Sequence, residues 1–214
     1  MGLYPVGLEV GGQECLVVGG GAVAERKVQS LLEAGARVTV IAPDLAPVLV
    51  AQADAGAVRW LPRAYRPGDA AGFMLVIAAS DDEAANRFVS LEARSRLTPV
   101  NVVDRPELCS FTVPAVVRQD SLTVAVWTGG QSPMLARRIR EELQAQFGPE
   151  YGEWLAFLGS LRPRLAAAVP DQSRRQAIYE ALVYSDALDL VRQGRLDEVA
   201  SRAEALIARA INEA

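Results

Sequence analysis

The chain has 214 residues, half of them hydrophobic and 22 % charged, with a formal net charge of −4 and no histidine. That length buries one sizeable core and a smaller second unit, and the acidic balance excludes a basic nucleic-acid-binding domain. No apolar run is long enough to cross a bilayer, and the lack of histidine removes the commonest general base and metal ligand.

The start, Met1-Gly2-Leu3-Tyr4-Pro5, lacks a basic stretch followed by an apolar one. A cytoplasmic protein is therefore expected, with Cys15 and Cys109 reduced and buried. An apolar strand ending Cys15-Leu16-Val17-Val18 stops at Gly19-Gly20-Gly21, and a helix is predicted from Ala22 to Ala34, closed by Gly35. Gly19, Gly21 and Ala24 match G-x-G-x-x-A, the strand–turn–helix pattern that binds a dinucleotide pyrophosphate. In that pattern the first glycine makes the turn, the second admits the phosphate, and the small third residue lets helix and strand pack closely.

A second strand, Arg37–Ala42, ends at Pro43-Asp44. Asp44 is read both as the acceptor of ribose hydroxyls and as the N-cap of a helix reaching Asp54. No arginine follows this strand directly, so NAD is favoured over NADP. After a short strand, Val58–Leu61, and a loop, Pro62–Gly72, the run Phe73–Ala79 has the continuous apolar character of a central parallel strand. It ends at Ser80-Asp81-Asp82, which caps a helix from Glu83 to Arg96. Ser80 and Asp81 lie on the rim where a cofactor is held. A fifth strand, Pro99–Val103, delivers Asp104 to the same rim, where it is either a loop cap or the best-placed candidate base.

Beyond Asp104 a β-hairpin is predicted, Phe111–Val117 and Leu122–Thr128, turning at Arg118–Ser121. Gly129-Gly130 breaks it, and Pro133 opens a helix to Phe147. Four arginines here (Arg118, Arg137, Arg138 and Arg140) face a single aspartate, Asp120. The loop Thr128–Pro133 precedes a helix N-terminus and so favours anions. From Gly148 to Ala214 the pattern is helical, interrupted at Pro163, Pro170 and Gly194. The expected fold class is α/β, a doubly wound parallel sheet over residues 1–113. A hairpin and helix over 114–147 and a small all-helical domain over 148–214 follow it.

In five stretches the chain resembles the precorrin-2 dehydrogenase family, the NAD-dependent N-terminal portion of siroheme synthase. They are Val17–Lys27 (VVGGGxVAxRK), Ala78–Asp82 (AASDD), Asn101–Asp104 (NVVD), Cys109–Pro114 (CSFTVP) and Gly129–Arg140 (GGxSPxLARxIR). The resemblance implies a Rossmann-type domain binding NAD+ and oxidation of precorrin-2 to sirohydrochlorin. It also implies a homodimer built on the hairpin and following helix. It puts cofactor contacts on Ala22, Val23, Pro43 and Asp44, beside Gly19, Gly21 and Ser80. The catalytic aspartate falls on Asp104. Beside it, Asn101, Thr128, Gly129 and Arg137 are the candidate substrate-binding residues of this chain. Some members also insert Fe2+, using the same aspartate as a transient ligand, so ferrochelation alone and a non-catalytic NAD- and tetrapyrrole-binding dimer stand as alternatives. Thr128 stands where the family usually has serine, and Trp127 where it has a small residue. No membrane or nucleic-acid partner is expected. The resemblance stops short of the methyltransferase module of the fused synthases.

Overall fold

The computed structural model describes residues 2–212; Met1 and residues 213–214, the ends of the predicted first segment and helical tail, lie outside the described residues. The chain divides into two units, residues 1–113 and 114–214.

The first unit is an α/β layer structure. Five strands, β1 (Glu14–Val18), β2 (Arg37–Ile41), β3 (Val58–Leu61), β4 (Leu75–Ala78) and β5 (Val100–Val102), form one parallel sheet in the order β3-β2-β1-β4-β5. The order reverses on either side of β1, which is the switch point of a doubly wound sheet. Alternation along the strands separates two cores. Cys15, Val17, Val40 and Ile77 pack with α1 (Ala22–Glu33) and α2 (Pro47–Asp54) on one face. Leu16, Val18, Val76 and Val100 pack with α3 (Glu83–Ser95) on the other. Helix α1 buries Ala24, Val28 and Leu31, one stripe at helical spacing. Its end is as predicted, with Gly35 at φ 76° one residue past the C-cap Ala34.

Some boundaries differ from expectation. Helix α2 starts at Pro47 with Ala46 as N-cap, so Asp44 is not its cap. Proline at the first helical position loses no hydrogen bond and fixes the required φ, and this decides the start. Strand β4 is shorter than the apolar run containing it. Phe73 and Met74 lead into the strand, and the Met74 N–H is held by Glu14 O at 2.8 Å.

The second unit opens with an antiparallel hairpin, β6 (Ala115–Gln119) and β7 (Leu122–Val126), joined through Asp120-Ser121, with Asp120 at φ 50°. The first hairpin strand therefore starts four residues later than expected and reaches Gln119. Helix α4 (Pro133–Gln146) packs on the hairpin, with Ser132 as its N-cap accepting from Leu135 N at 3.1 Å. Helices α5 (Glu150–Ala168), α6 (Gln172–Val183), α7 (Ala187–Arg192) and α8 (Leu196–Asn212) enclose a separate apolar core around Leu161, Leu165, Leu182 and Val199. Pro163 does not interrupt the chain as expected; α5 continues through it. Pro170 and Gly194 do lie between helices. Among the described residues no helix is long and apolar enough to cross a membrane.

Candidate functional site

Because all five strands run the same way, the segments after β1, β2, β4 and β5 leave the same edge of the sheet. The three glycines after β1 do different jobs. Gly19 adopts φ +119°, and a Cβ there would sit 2.3 Å from Ala79 O. A Cβ on Gly20 would sit 2.0 Å from Asp44 O, and Gly20 O accepts from Ala46 N at 2.7 Å. Both are therefore demanded by packing against the neighbouring strand exits. Gly21 has open space where a Cβ would be. It is the N-cap of α1, with no side-chain cap on the first-turn N–H groups. Those groups and the helix dipole are available to an anion. Ala24, the third fingerprint position, is fully buried.

A groove of about 690 Å³ runs from this turn past Asp44 to Ser80 and the start of α3. Ala22, Val23 and Pro43 line it as well, so the structure brings every expected cofactor residue to one place. The Trp60 indole N–H donates to Ala42 O at 2.9 Å and anchors the Pro43-Asp44 turn. The charged side chains lining the groove are Asp44, Asp81 and Asp82, all acidic. Open space at Gly21, uncapped helix N–H groups and a carboxylate after β2 fit a dinucleotide.

A second pocket of about 180 Å³ adjoins it, lined by Asp104, Arg105, Arg87 and Asn86 and sharing Ser80 and Asp81 with the groove. Asp104 is exposed and sits at φ 57°, a left-handed conformation uncommon outside glycine, asparagine and aspartate. Cys109 holds the turn that imposes it. Val102 N–H donates to the sulfur at 3.2 Å, and the thiol lies 3.2 Å from Val102 O and 3.3 Å from Arg105 O. Cys109 is thus half-buried rather than fully buried, and burial raises its thiol above the ordinary range. Asn101 is buried, and its Nδ2 donates to Phe111 O at 3.0 Å, so its amide secures the chain leaving the turn. Lys27, the sole lysine, is half-buried on α1. Burial lowers its pKa and Arg26 adds to the effect, while Asp104 and Cys109 oppose it, which puts the ammonium within electrostatic range of Asp104.

Sequence reasoning passed over Gly20, Asn86 and Arg87. Asn86 is 6 % exposed and clamps Ser80, its Nδ2 donating to Ser80 O at 2.7 Å and its Oδ1 accepting from Ser80 N at 3.3 Å. A polar residue within the buried stripe 86, 89, 90 and 93 of α3 was the available signal.

Thr128, Gly129 and Arg137 belong to the second unit. Thr128 Oγ1 donates to Ser132 O at 3.0 Å and closes the glycine loop, in which Gly129 has φ 63°. Arg137 pairs with Glu141 at 2.9 Å and Arg138 with Glu142 at 2.8 Å, both solvated pairs one helical turn apart.

Residues 6–115 match the model of a family of NAD(P)-binding domains. The chain belongs to this family. Residues 119–146 match a model described as the sirohaem biosynthesis protein central region, and residues 150–207 one described as the sirohaem synthase dimerisation region. The siroheme synthase of Thioalkalivibrio sulfidiphilus is 42 % identical over 197 residues, covering 92 % of this chain and 40 % of that protein. The siroheme synthase of Methylococcus capsulatus is 40 % identical over 198 residues, covering 92 % and 42 %. The chain thus spans about two-fifths of the length of these relatives. Among solved structures, SirC, a precorrin-2 dehydrogenase, superposes with a TM-score of 0.80 at 25 % identity, covering 95 % of this chain and 100 % of SirC.

Proposed function

We propose that this chain oxidises precorrin-2 to sirohydrochlorin, with NAD+ as hydride acceptor and Asp104 as the acid–base residue. The observation that carries this is the meeting of the glycine-turn groove and the Asp104 pocket at Ser80 and Asp81, which supports a cofactor bound beside that carboxylate. The likeness to SirC over nearly the whole chain supports it.

In the balanced reaction precorrin-2 gives up a hydride and a proton, and NADH and sirohydrochlorin result. The bound cofactor supplies the hydride acceptor. The protein's share is to hold the macrocycle against the rim and receive or relay the proton. Asp104 suits that role because its side chain makes no hydrogen bond or ion pair with any described residue. Asn101 and Cys109 act behind it by fixing the turn, and Asp44 accepts from the ribose. An all-acidic lining repels a 2′-phosphate, which selects NAD over NADP. Thr128, Gly129 and Arg137 would meet the substrate's carboxylates, as part of a homodimer held by the second unit. The setting is cytoplasmic, where dinucleotide is abundant and both thiols stay reduced.

Insertion of Fe2+ into the product is a second reading. A carboxylate that no other side chain occupies can accept pyrrole protons and ligate an incoming ion.

Anaerobic incubation of the protein with precorrin-2 and NAD+ tests the first reading. NADH appearing in step with the sirohydrochlorin spectrum is expected. An unchanged tetrapyrrole spectrum despite bound NAD+ would leave only a binding module. Adding Fe2+ or Co2+ to sirohydrochlorin, with and without protein, tests the second.

A further inference from the structure

Arg87 stands apart from the other guanidinium of the Asp104 pocket. Arg105 is committed, paired with Glu83 and 4.0 Å from Glu107. Glu83, four residues before Arg87 on α3, is the partner that Arg87 would take on an isolated helix. Because Arg105 reaches across from the β5 exit and takes Glu83, Arg87 makes no hydrogen bond or ion pair with any described residue while lining the pocket.

We propose that Arg87 is a substrate-carboxylate-binding residue that grips one arm of an acidic macrocycle lying across the mouth of the Asp104 pocket, and so sets which way round the ring faces Asp104. This rests on the dehydrogenase reading above and deepens it. The pocket is bipolar: Asp104 and Asp81 present carboxylates, and Arg87 presents the uncommitted cation. Precorrin-2 is bipolar in the complementary sense, with N–H groups at its centre and carboxylates around its rim. Rim carboxylates are repelled by Asp104 and Asp81 and attracted to Arg87, whereas N–H donors are attracted to Asp104. Only one class of orientation satisfies both, and it brings the ring core to Asp104. The guanidinium can grip a carboxylate with two parallel N–H bonds. The pocket volume of about 180 Å³ admits an acetate- or propionate-sized arm and not the whole ring.

The test measures sirohydrochlorin binding by fluorescence titration, precorrin-2 kinetics and NAD+ affinity for wild type, Arg87→Gln and Arg87→Lys. For Arg87→Gln the expected result is a rise of about tenfold or more in sirohydrochlorin Kd and precorrin-2 KM, as for a lost charge-assisted hydrogen bond. The kcat should fall by less than KM rises, since Arg87 acts through binding and orientation of the macrocycle and not on the reacting atoms. NAD+ affinity should be unchanged, and Arg87→Lys should recover part of the loss. Values for Arg87→Gln within twofold of wild type would overturn the proposal, as would a loss confined to NAD+ affinity. A wild-type protein that binds no tetrapyrrole would instead overturn the dehydrogenase reading, and this inference with it.

Discussion

Asn86 holds Ser80 by both its backbone N–H and its carbonyl, with contacts of 3.3 and 2.7 Å, and Ser80 is where the dinucleotide groove and the Asp104 pocket meet. A residue on α3 therefore fixes the exit of β4 at the junction of the candidate site. Replacing Asn86 by leucine leaves two backbone groups of Ser80 without their partner, at a cost of about 1–3 kcal/mol. A lower midpoint in urea and a weaker NAD+ affinity are both expected. Wild-type stability and affinity would show that the clamp is dispensable.

The glycine turn separates packing from ligand approach. Gly20→Ala drives a methyl group into Asp44 O, so the variant should fold poorly or unfold at a markedly lower temperature. Gly21→Ala meets no protein atom, so it should keep the wild-type Tm; with the pyrophosphate at the proposed site, the added methyl should lower NAD+ affinity by about tenfold or more. Thermal melts and isothermal titration of the two variants check this, and equal NAD+ affinity in Gly21→Ala would move the phosphate elsewhere.

Cofactor choice follows from the acidic lining. NADP+ should support turnover with a KM at least about tenfold above that of NAD+, since in the proposed binding mode its 2′-phosphate would meet Asp44. Asp44→Asn should narrow the gap by weakening NAD+ more than NADP+. Initial rates with both cofactors decide it.

Alkali should destabilise the first unit. Burial raises the Cys15 thiol from its ordinary 9.0 to about 11, with Glu14 adding to the effect. The Tyr65 hydroxyl is raised by burial and by its bond to Glu92. Both groups prefer the neutral form in the fold, so their contribution is complete below about pH 9 and is lost as the pH climbs through the folded values. Unfolding free energy should therefore decline from about pH 9 to 11, and the decline should be shallower in Cys15→Ala. An identical slope in that variant would contradict the assignment.

Much of this was legible in the sequence because strand, glycine turn and helix are local. The run Cys15–Val18, the turn and the Val28–Leu31 stripe carry their own periodicity, and the apolar strand before Ser80 announces a buried parallel strand. What escaped depends on contacts between distant segments. Nothing near Gly20 shows that its missing side chain makes room for the Asp44 carbonyl. Nothing near Arg87 shows that Glu83 is taken from across the pocket by Arg105. Of the two readings of Asp44, the helix cap fails because an aspartate after a strand and a proline three residues later both signal a start, and the proline decides it. Pro163 was misread as a break, yet α5 accommodates it within a helix packed on three others.

The central claim is that Asp104 performs proton chemistry beside a bound dinucleotide. Asparagine tolerates the left-handed backbone found at φ 57°, so Asp104→Asn removes the carboxylate and keeps the turn. Anaerobic NADH formation from precorrin-2 by this variant is the most direct measurement. The account predicts a fall in kcat of about a hundredfold or more, with NAD+ affinity unchanged. Wild-type turnover by Asp104→Asn would contradict it.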